Sequence, residues 1–443
     1  MTEPKLEPVP SSPTQVSSAY YTSPWPGEDG GPQRLQAVTG IEGLNVQSSE
    51  RLRVVSSRRL FTGNMVVLRN PGEVYLMQID SLRDKLGISC SAHIEKIDPV
   101  SLKPIKKSKP LAGGAWWPGG FCVHKNGDLY VTFGRHIHRL NADCEVISSF
   151  KLPQNLPYNS HVVLDCGYIV TKPIASEGYA ALVVLDPETL QPVCPNIAMQ
   201  EPSISRLSAI GNTLYVTGVR TIFRYQFDSS TKTLKLDPDW SLDYVGNSTQ
   251  EYGWDPVIDD RNVWFMDNGR HRMGRGSPSM IMAGVNPTPN SIIRVSTEDS
   301  SNFSITPVCG ISHGSVTNPP LYCPQRRILV AYDSSNQVVQ AWRHDIESDQ
   351  LTPIWTRHKF GMGGHTIYYP ATGEIVTADY QSLKSWQGLS QGEHSVVMDI
   401  ETGREKARVA LGNYMQSVCF PAPGFNRDFY WLGLDKLSYV RVE

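Results

Sequence analysis

The sequence predicts an all-β fold, an eight-bladed β-propeller whose ring is closed by an N-terminal strand. Three observations carry this. One unit of short runs rich in Val, Ile, Thr and aromatic residues recurs along the chain, broken by turn chemistry. From Gly361 it reads H-T-I-Y-Y-P, A-T-G-E, I-V-T-A-D-Y, a polar insert, H-S-V-V-M-D-I, E-T-G-R-E and K-A-R-V-A-L. The turns fall at equivalent places in successive units. The 36 Gly and 32 Pro are spread over all 443 residues, which suits many short strands rather than long helices.

A four-stranded antiparallel sheet cannot bury both faces alone, so each unit needs copies to pack against. Residues 1–48 are rich in Pro, Ser and Gly, lack periodicity and read as an extended or disordered arm that Tyr20, Tyr21 and Trp25 could pin to the body. Residues 49–443 read as one propeller domain. Leu52–Ser56 is a lone strand. The units that follow open at Asn64, Gly120, His161, Ile204, Trp254, Asn318, His365 and Ser417. A tight turn between first and second strands carries Gly72, Gly127, Gly167, Asn212 or Gly373. A second turn, between third and fourth strands, carries Asp98, Asp186, Asp228, Asp345 or Asp399, whose carboxylates can cap their own turns. The units are about 40 to 55 residues long, the blade period of propellers, and the fifth is longer because of an insert. The last unit supplies three strands, and the lone strand near Leu52 is its natural fourth. Pairing it there closes the ring without a free edge. Seven blades is the alternative count.

Composition narrows function. Hydrophobic residues make up 40% and charged residues 19%, as in a globular protein, and the net charge of -2 leaves no footprint for nucleic acid or an anionic membrane. The basic run Lys103–Lys109 suits a solvated outer edge strand. No basic region precedes an apolar run at the N-terminus, and no apolar run is long enough to span a bilayer, so a cytoplasmic protein is expected. The eight cysteines form no C-x-x-C pair and are expected as free, mostly buried thiols.

Topology then places residues on a face. In a propeller the innermost strand of each blade starts on one face, and the loops between second and third strands open there too. The residues at or just before those starts are Asn64, Trp116, Trp117, His161, Ser205, Glu251, Trp254, Asp255, His313, His365 and Gln416. Lys172, Asp267, Asp333 and Asp379, at the ends of second strands, border the same mouth. Two long inserts, 269–290 and 381–393, rise over it and suit lids. His365, His313, His161, Glu251 and Asp255 are the candidate catalytic residues. Trp116, Trp117, Trp254, Asn64, Gln416, Asp267 and Asp379 are candidate ligand contacts. If His161, His313 and His365 converge within about 4 Å of one point they could hold a divalent transition metal. Without a metal, one His tuned by a carboxylate serves as general acid or base. Each residue also has a plainer role: a His bonding a neighbouring blade, a Trp packing blade on blade, an Asp capping a turn.

The segment V-W-F-M-D-N-G-R-H-R-M resembles the strand-turn signature of NHL and gluconolactonase-like propellers, and the blade count resembles the quinoprotein dehydrogenases. The regular Trp-docking motif of the latter and the Gly-His and Trp-Asp pairs of WD40 repeats are absent. These resemblances imply the propeller superfamily over Leu52–Glu443 and no particular family. Two functions follow as expectations: an enzyme acting on a small molecule at the axial mouth (a lyase, cyclase, hydrolase or oxidoreductase), or a non-catalytic scaffold that binds other proteins at a rim.

Overall fold

Eight antiparallel sheets, seven of four strands and one of five, make up the computed structural model, which describes residues 17, 19–60, 62–80, 90–114, 119–268, 286–316, 318–380, 392–412, 420–433 and 435–443. The sheets are the predicted blades in chain order. Blade 1 runs from Gly63–Leu68 outward to Pro104–Lys107, with Leu111–Gly114 as its extra strand. Pro104–Lys107 is exposed throughout, as a Lys-blunted edge should be.

Burial follows from position in the blade. The inner strands, such as Gly63–Leu68 and Tyr158–Val163, are buried at every residue, because neighbouring blades cover both faces. The outer strand Val146–Lys151 has no buried residue. The turns use the expected chemistry. Gly127 sits at φ 88° and Gly167 at φ 95°, the left-handed region that favours glycine. Asp186 Oδ1 accepts the Glu188 and Thr189 N–H groups at 2.9 and 3.0 Å, and Asp399 Oδ1 accepts the Thr402 N–H at 2.9 Å.

Blade 8 closes the ring. Its three C-terminal strands are Ala422–Pro423, Asp428–Leu432 and Lys436–Val442, and its outermost strand is Leu52–Arg59. The two ends of the chain pair from Leu52↔Val442 to Arg59↔Lys436, with a bulge between Val54 and Ser56.

Residues 19–48 lie across the ring on the face where inner strands end, and they touch every blade. Trp25 and Pro26 carbonyls accept the N–H groups of Leu68 and Val123 at 2.8 and 2.7 Å. Tyr20 Oη accepts the Val163 N–H at 3.2 Å. Pro32, Gln33 and Gln36 carbonyls accept Ala209, Ile258 and Tyr368 N–H groups at 2.8, 3.0 and 2.7 Å. Gln36 Nε2 donates to the Pro320 carbonyl at 3.1 Å, and Arg427 Nε to the Leu44 carbonyl at 2.6 Å. The channel-facing edge of an innermost strand has no sheet partner, so its backbone donors need another acceptor. The arm supplies it. Tyr20 and Trp25 are buried in the process.

Candidate active site at the propeller axis

A 3₁₀ turn at Glu28–Gly30 turns the arm into the channel and leaves Glu28 and Asp29 buried. Arg34, 1% exposed, lies between them: Nη2 meets Glu28 Oε2 at 3.0 Å and Nη1 meets Asp29 Oδ2 at 3.1 Å. Its Nε donates to the Leu207 carbonyl at 2.9 Å and its Nη2 to Ser160 Oγ at 2.9 Å. The other side of Asp29 holds His365. Asp29 Oδ1 stands 2.7 Å from His365 Nδ1, so that nitrogen carries the proton. Burial opposes charge on Asp29, but His365 and Arg34 outweigh it and hold the carboxyl below its ordinary range. Burial raises Glu28 despite Arg34 and Arg206.

Blade 4 contributes the second cation. Arg206 is also 1% exposed; its Nη1 pairs with Asp255 Oδ2 at 3.1 Å and its Nε faces Glu28 Oε2 at 3.5 Å. Asp255 Oδ1 additionally accepts the Arg206 N–H at 2.5 Å. The Arg206 guanidinium lies 4.7 Å over the Phe420 ring, and His365 stacks on that ring at 3.9 Å between centroids. Phe420 thus ties the His365–Asp29 pair to the Arg206–Asp255 pair. Four atoms of this cluster are buried without a hydrogen-bond partner among the described residues: His365 Nε2, Arg206 Nε and Nη2, and Glu28 Oε1. Buried polar atoms are rarely orphaned, and a group of them at one place marks a position for water or a polar ligand.

His365 and Asp255 are therefore brought together through Phe420 and Arg206, and His161 adjoins Glu28. A Cβ on Gly120 would meet both Glu28 Oε1, at 2.7 Å, and His161 Nδ1, at 3.0 Å. Both imidazole nitrogens of His161 are already engaged, by Thr132 Oγ1 at 2.9 Å and Cys122 Sγ at 3.1 Å. Burial depresses its pKa to about 3, which leaves it neutral. His313 is exposed, at φ 60°, with its N–H on the Asn286 carbonyl. The three histidines do not form one cluster. Among the described residues no group of three or more His, Cys, Asp or Glu is arranged to hold a metal.

The remaining candidates disperse. Glu251 is half-buried and faces Arg220 at 3.4 Å. Asn64 is buried, with its carbonyl accepting the Phe420 N–H at 3.1 Å. Trp254 packs between blades, its Nε1 donating to the Val316 carbonyl at 2.7 Å. Asp267, Asp333 and Asp379 share one structural task. Each accepts a backbone N–H from the segment entering its own blade: Gln250 at 2.7 Å, Ser315 at 3.3 Å and Gly361 at 2.9 Å. Trp116, Trp117, Gln416, Cys419 and most of the two inserts (269–285 and 381–391) lie outside the described residues. The other seven cysteines are free thiols.

One consequence concerns pH. Burial, helped by Asp333, pushes the Asp267 carboxyl up to about 8 against the two N–H groups it accepts. A carboxyl raised in the folded state favours folding below its unfolded pKa, and that contribution is lost as pH climbs toward the folded value. The melting-temperature difference between wild type and Asp267→Asn is expected to shift against the wild type from about pH 5 to about pH 8. Parallel melting curves across that range would refute the assignment.

Arg206, Phe420 and the arm's Glu28, Asp29 and Arg34 were not foreseen. Arg206 directly follows Ser205, which topology placed at the mouth, and this was the available clue. Glu28 and Asp29 sit in a Gly/Pro segment (P-G-E-D-G-G-P) and Arg34 two residues beyond it, with no repeat to align them to a blade.

Fold and axial cluster define an eight-bladed propeller with a polar centre completed by its own N-terminal arm. Quinohemoprotein alcohol dehydrogenase ADHIIG from Pseudomonas putida superposes with a TM-score of 0.58 at 9% identity, over 95% of this chain and 80% of that one. The quinohemoprotein alcohol dehydrogenase from Comamonas testosteroni gives 0.58 at 10% identity, over 96% and 81%. The Dos1 propeller gives 0.52 at 11% identity, over 88% and 95%. At such identities the likeness is one of fold. No protein-family model matches the sequence, and no curated protein does.

Proposed function

We propose that this propeller binds a small anionic molecule at its axis and acts on it by acid–base chemistry, with His365 as the proton-transfer group. One observation carries the reading: His365 Nδ1 is held by Asp29 at 2.7 Å while its Nε2 is buried and unpartnered among the described residues. A carboxylate that fixes one imidazole nitrogen sets the tautomer and leaves the other free to take or give a proton. Arg206 supports the anionic character of the ligand, since its Nη2 has no hydrogen-bond partner among the described residues and guanidinium donors suit carboxylate and phosphate. Asp29 acts as a positioning residue, and Phe420 as a wall against which His365 and Arg206 are set. Nothing in the described geometry supports the three-histidine metal reading.

The test is thermal stabilisation by a panel of phosphate, glyoxylate, pyruvate, succinate and citrate. At roughly a hundred times Kd, binding adds about 2.7 kcal/mol. With typical unfolding entropies per residue, that is a rise of about 3 °C for a chain of this length. We expect at least one anion to give a saturable rise that Arg206→Gln abolishes. His365→Gln is expected to retain binding and lose turnover of that anion. No stabilisation by any of them would favour the scaffold reading, in which the axis is simply filled by side chains.

A further inference from the structure

Lys172 stands near the end of the second strand of blade 3, Ile169–Pro173, with no exposed surface. Its Nζ has two contacts, both long: the Pro173 carbonyl at 3.4 Å and the Ser203 carbonyl at 3.3 Å. It makes no ion pair among the described residues, although a buried ammonium is costly without a carboxylate against it. Ser203, whose carbonyl it meets, stands 3.2 Å by its Oγ from Ser205 Oγ, and Ser205 directly precedes Arg206, which places Lys172 beside the axial cluster. Ser203, which holds it, also bonds the Thr217 carbonyl at 2.6 Å, and Thr217 Oγ1 is a further buried atom with no hydrogen-bond partner among the described residues. Burial is the main influence and lowers the amine to about 7, with Arg206 acting in the same sense and Asp255 against it. Near neutral pH about half of the Lys172 population therefore carries a free lone pair, against fewer than about one in a thousand for an ordinary lysine. A desolvated lysine beside another cation is a known way to make a nucleophilic amine.

We propose that Lys172 is a carbonyl-reactive amine that forms a Schiff base with a small oxo acid bound at the axis. This rests on the anion-binding reading above, because the carboxylate of the oxo acid is the group Arg206 would hold. The Nζ lone pair attacks the carbonyl carbon, the C=O electron pair moves to oxygen, and one of the two Nζ protons passes to that oxygen to give a carbinolamine. The second Nζ proton balances the one that converts the hydroxyl to water; the C–O bond breaks as water leaves, and the nitrogen lone pair forms the C=N bond that joins Lys172 to the ligand. No electrons are gained or lost overall.

The experiment uses the full chain with glyoxylate and cyanoborohydride near pH 7, followed by peptide mass mapping. Cyanoborohydride delivers hydride to the imine carbon and fixes it as a carboxymethyl-lysine. Label on Lys172 is expected to exceed that on the exposed Lys106 and Lys235 by about tenfold or more and to saturate with glyoxylate. Label on Lys172 at or below the level of those two would overturn the proposal. The wild-type map needs no variant to fold; Lys172→Arg, which keeps a cation in place, serves as the unlabelled control. Stabilisation by anions without label on Lys172 rejects the Schiff base and leaves the anion site standing. Absence of both rejects the anion site as well.

Discussion

Removal of residues 1–59 is expected to yield a chain that no longer folds to a soluble monomer, whereas removal of residues 1–48 leaves a closed ring of lower stability. The difference lies in one strand. Leu52–Arg59 is the outermost strand of blade 8, and its register with Lys436–Val442 joins the two ends of the chain. Leu52 is buried in a core with Val440, Val442 and Leu437. Without that strand, Lys436–Val442 presents an unpaired backbone edge, and the last blade loses a layer of its packing. An open edge recruits other chains, so aggregation accompanies the loss. Size-exclusion chromatography and near-ultraviolet circular dichroism separate the outcomes. A monomer lacking residues 1–59 that melts like the full chain would show that the ring does not depend on this strand.

Arg34→Met is expected to cost about 3–5 kcal/mol, because it leaves Glu28 and Asp29 buried without the cation between them. Both carboxylates contact Arg34 at 3.0–3.1 Å. Arg206 faces Glu28 at 3.5 Å and His365 bonds Asp29 at 2.7 Å, so each carboxylate keeps one partner. The loss should therefore sit near the lower end of that range. Adding Glu28→Gln and Asp29→Asn to Arg34→Met is expected to recover much of it, since the uncompensated charge is then gone. Lowering the pH should also narrow the deficit. Glu28 has a raised pKa in the wild type, and removing Arg34 raises it further, so mild acid neutralises it. Denaturant unfolding of the wild type, single and triple variants at two pH values tests all three statements. A single variant within about 0.5 kcal/mol of wild type would mean that Arg34 is a bystander.

The blades were legible because their determinants are local. Alternating apolar runs, Gly at the left-handed turn positions and Asp at the capping turns act within about ten residues of one another, and the copies reinforce the reading. Counting strands then exposed the missing one in blade 8 and the spare one at Leu52. The plainer role weighed for Trp254, packing between blades, was legible too, whereas Asp267 caps the segment entering its blade rather than a local turn.

The site was legible only in part. Topology brought His365, His161 and Asp255 toward one axis, yet which atom meets which depends on pleat phase, strand register and the tilt of each blade. A shift of one residue turns a side chain from the channel to the sheet's interior. That is why His365 reaches Asp29 while His161 is spent on Thr132 and Cys122, and His313 stays at the surface. The arm lay furthest from view. Its Glu28, Asp29 and Arg34 have no period; besides one another, their partners are Ser160, Leu207 and His365 in blades 3, 4 and 7, more than a hundred residues away. By itself the sequence determined the propeller fold, the order of its blades and the strand that closes the ring, with eight blades favoured over seven. Only the tertiary structure decided that the chain's own N-terminal segment enters the channel, because an unpaired channel edge and a buried charge network become partners only once all eight blades stand in a ring.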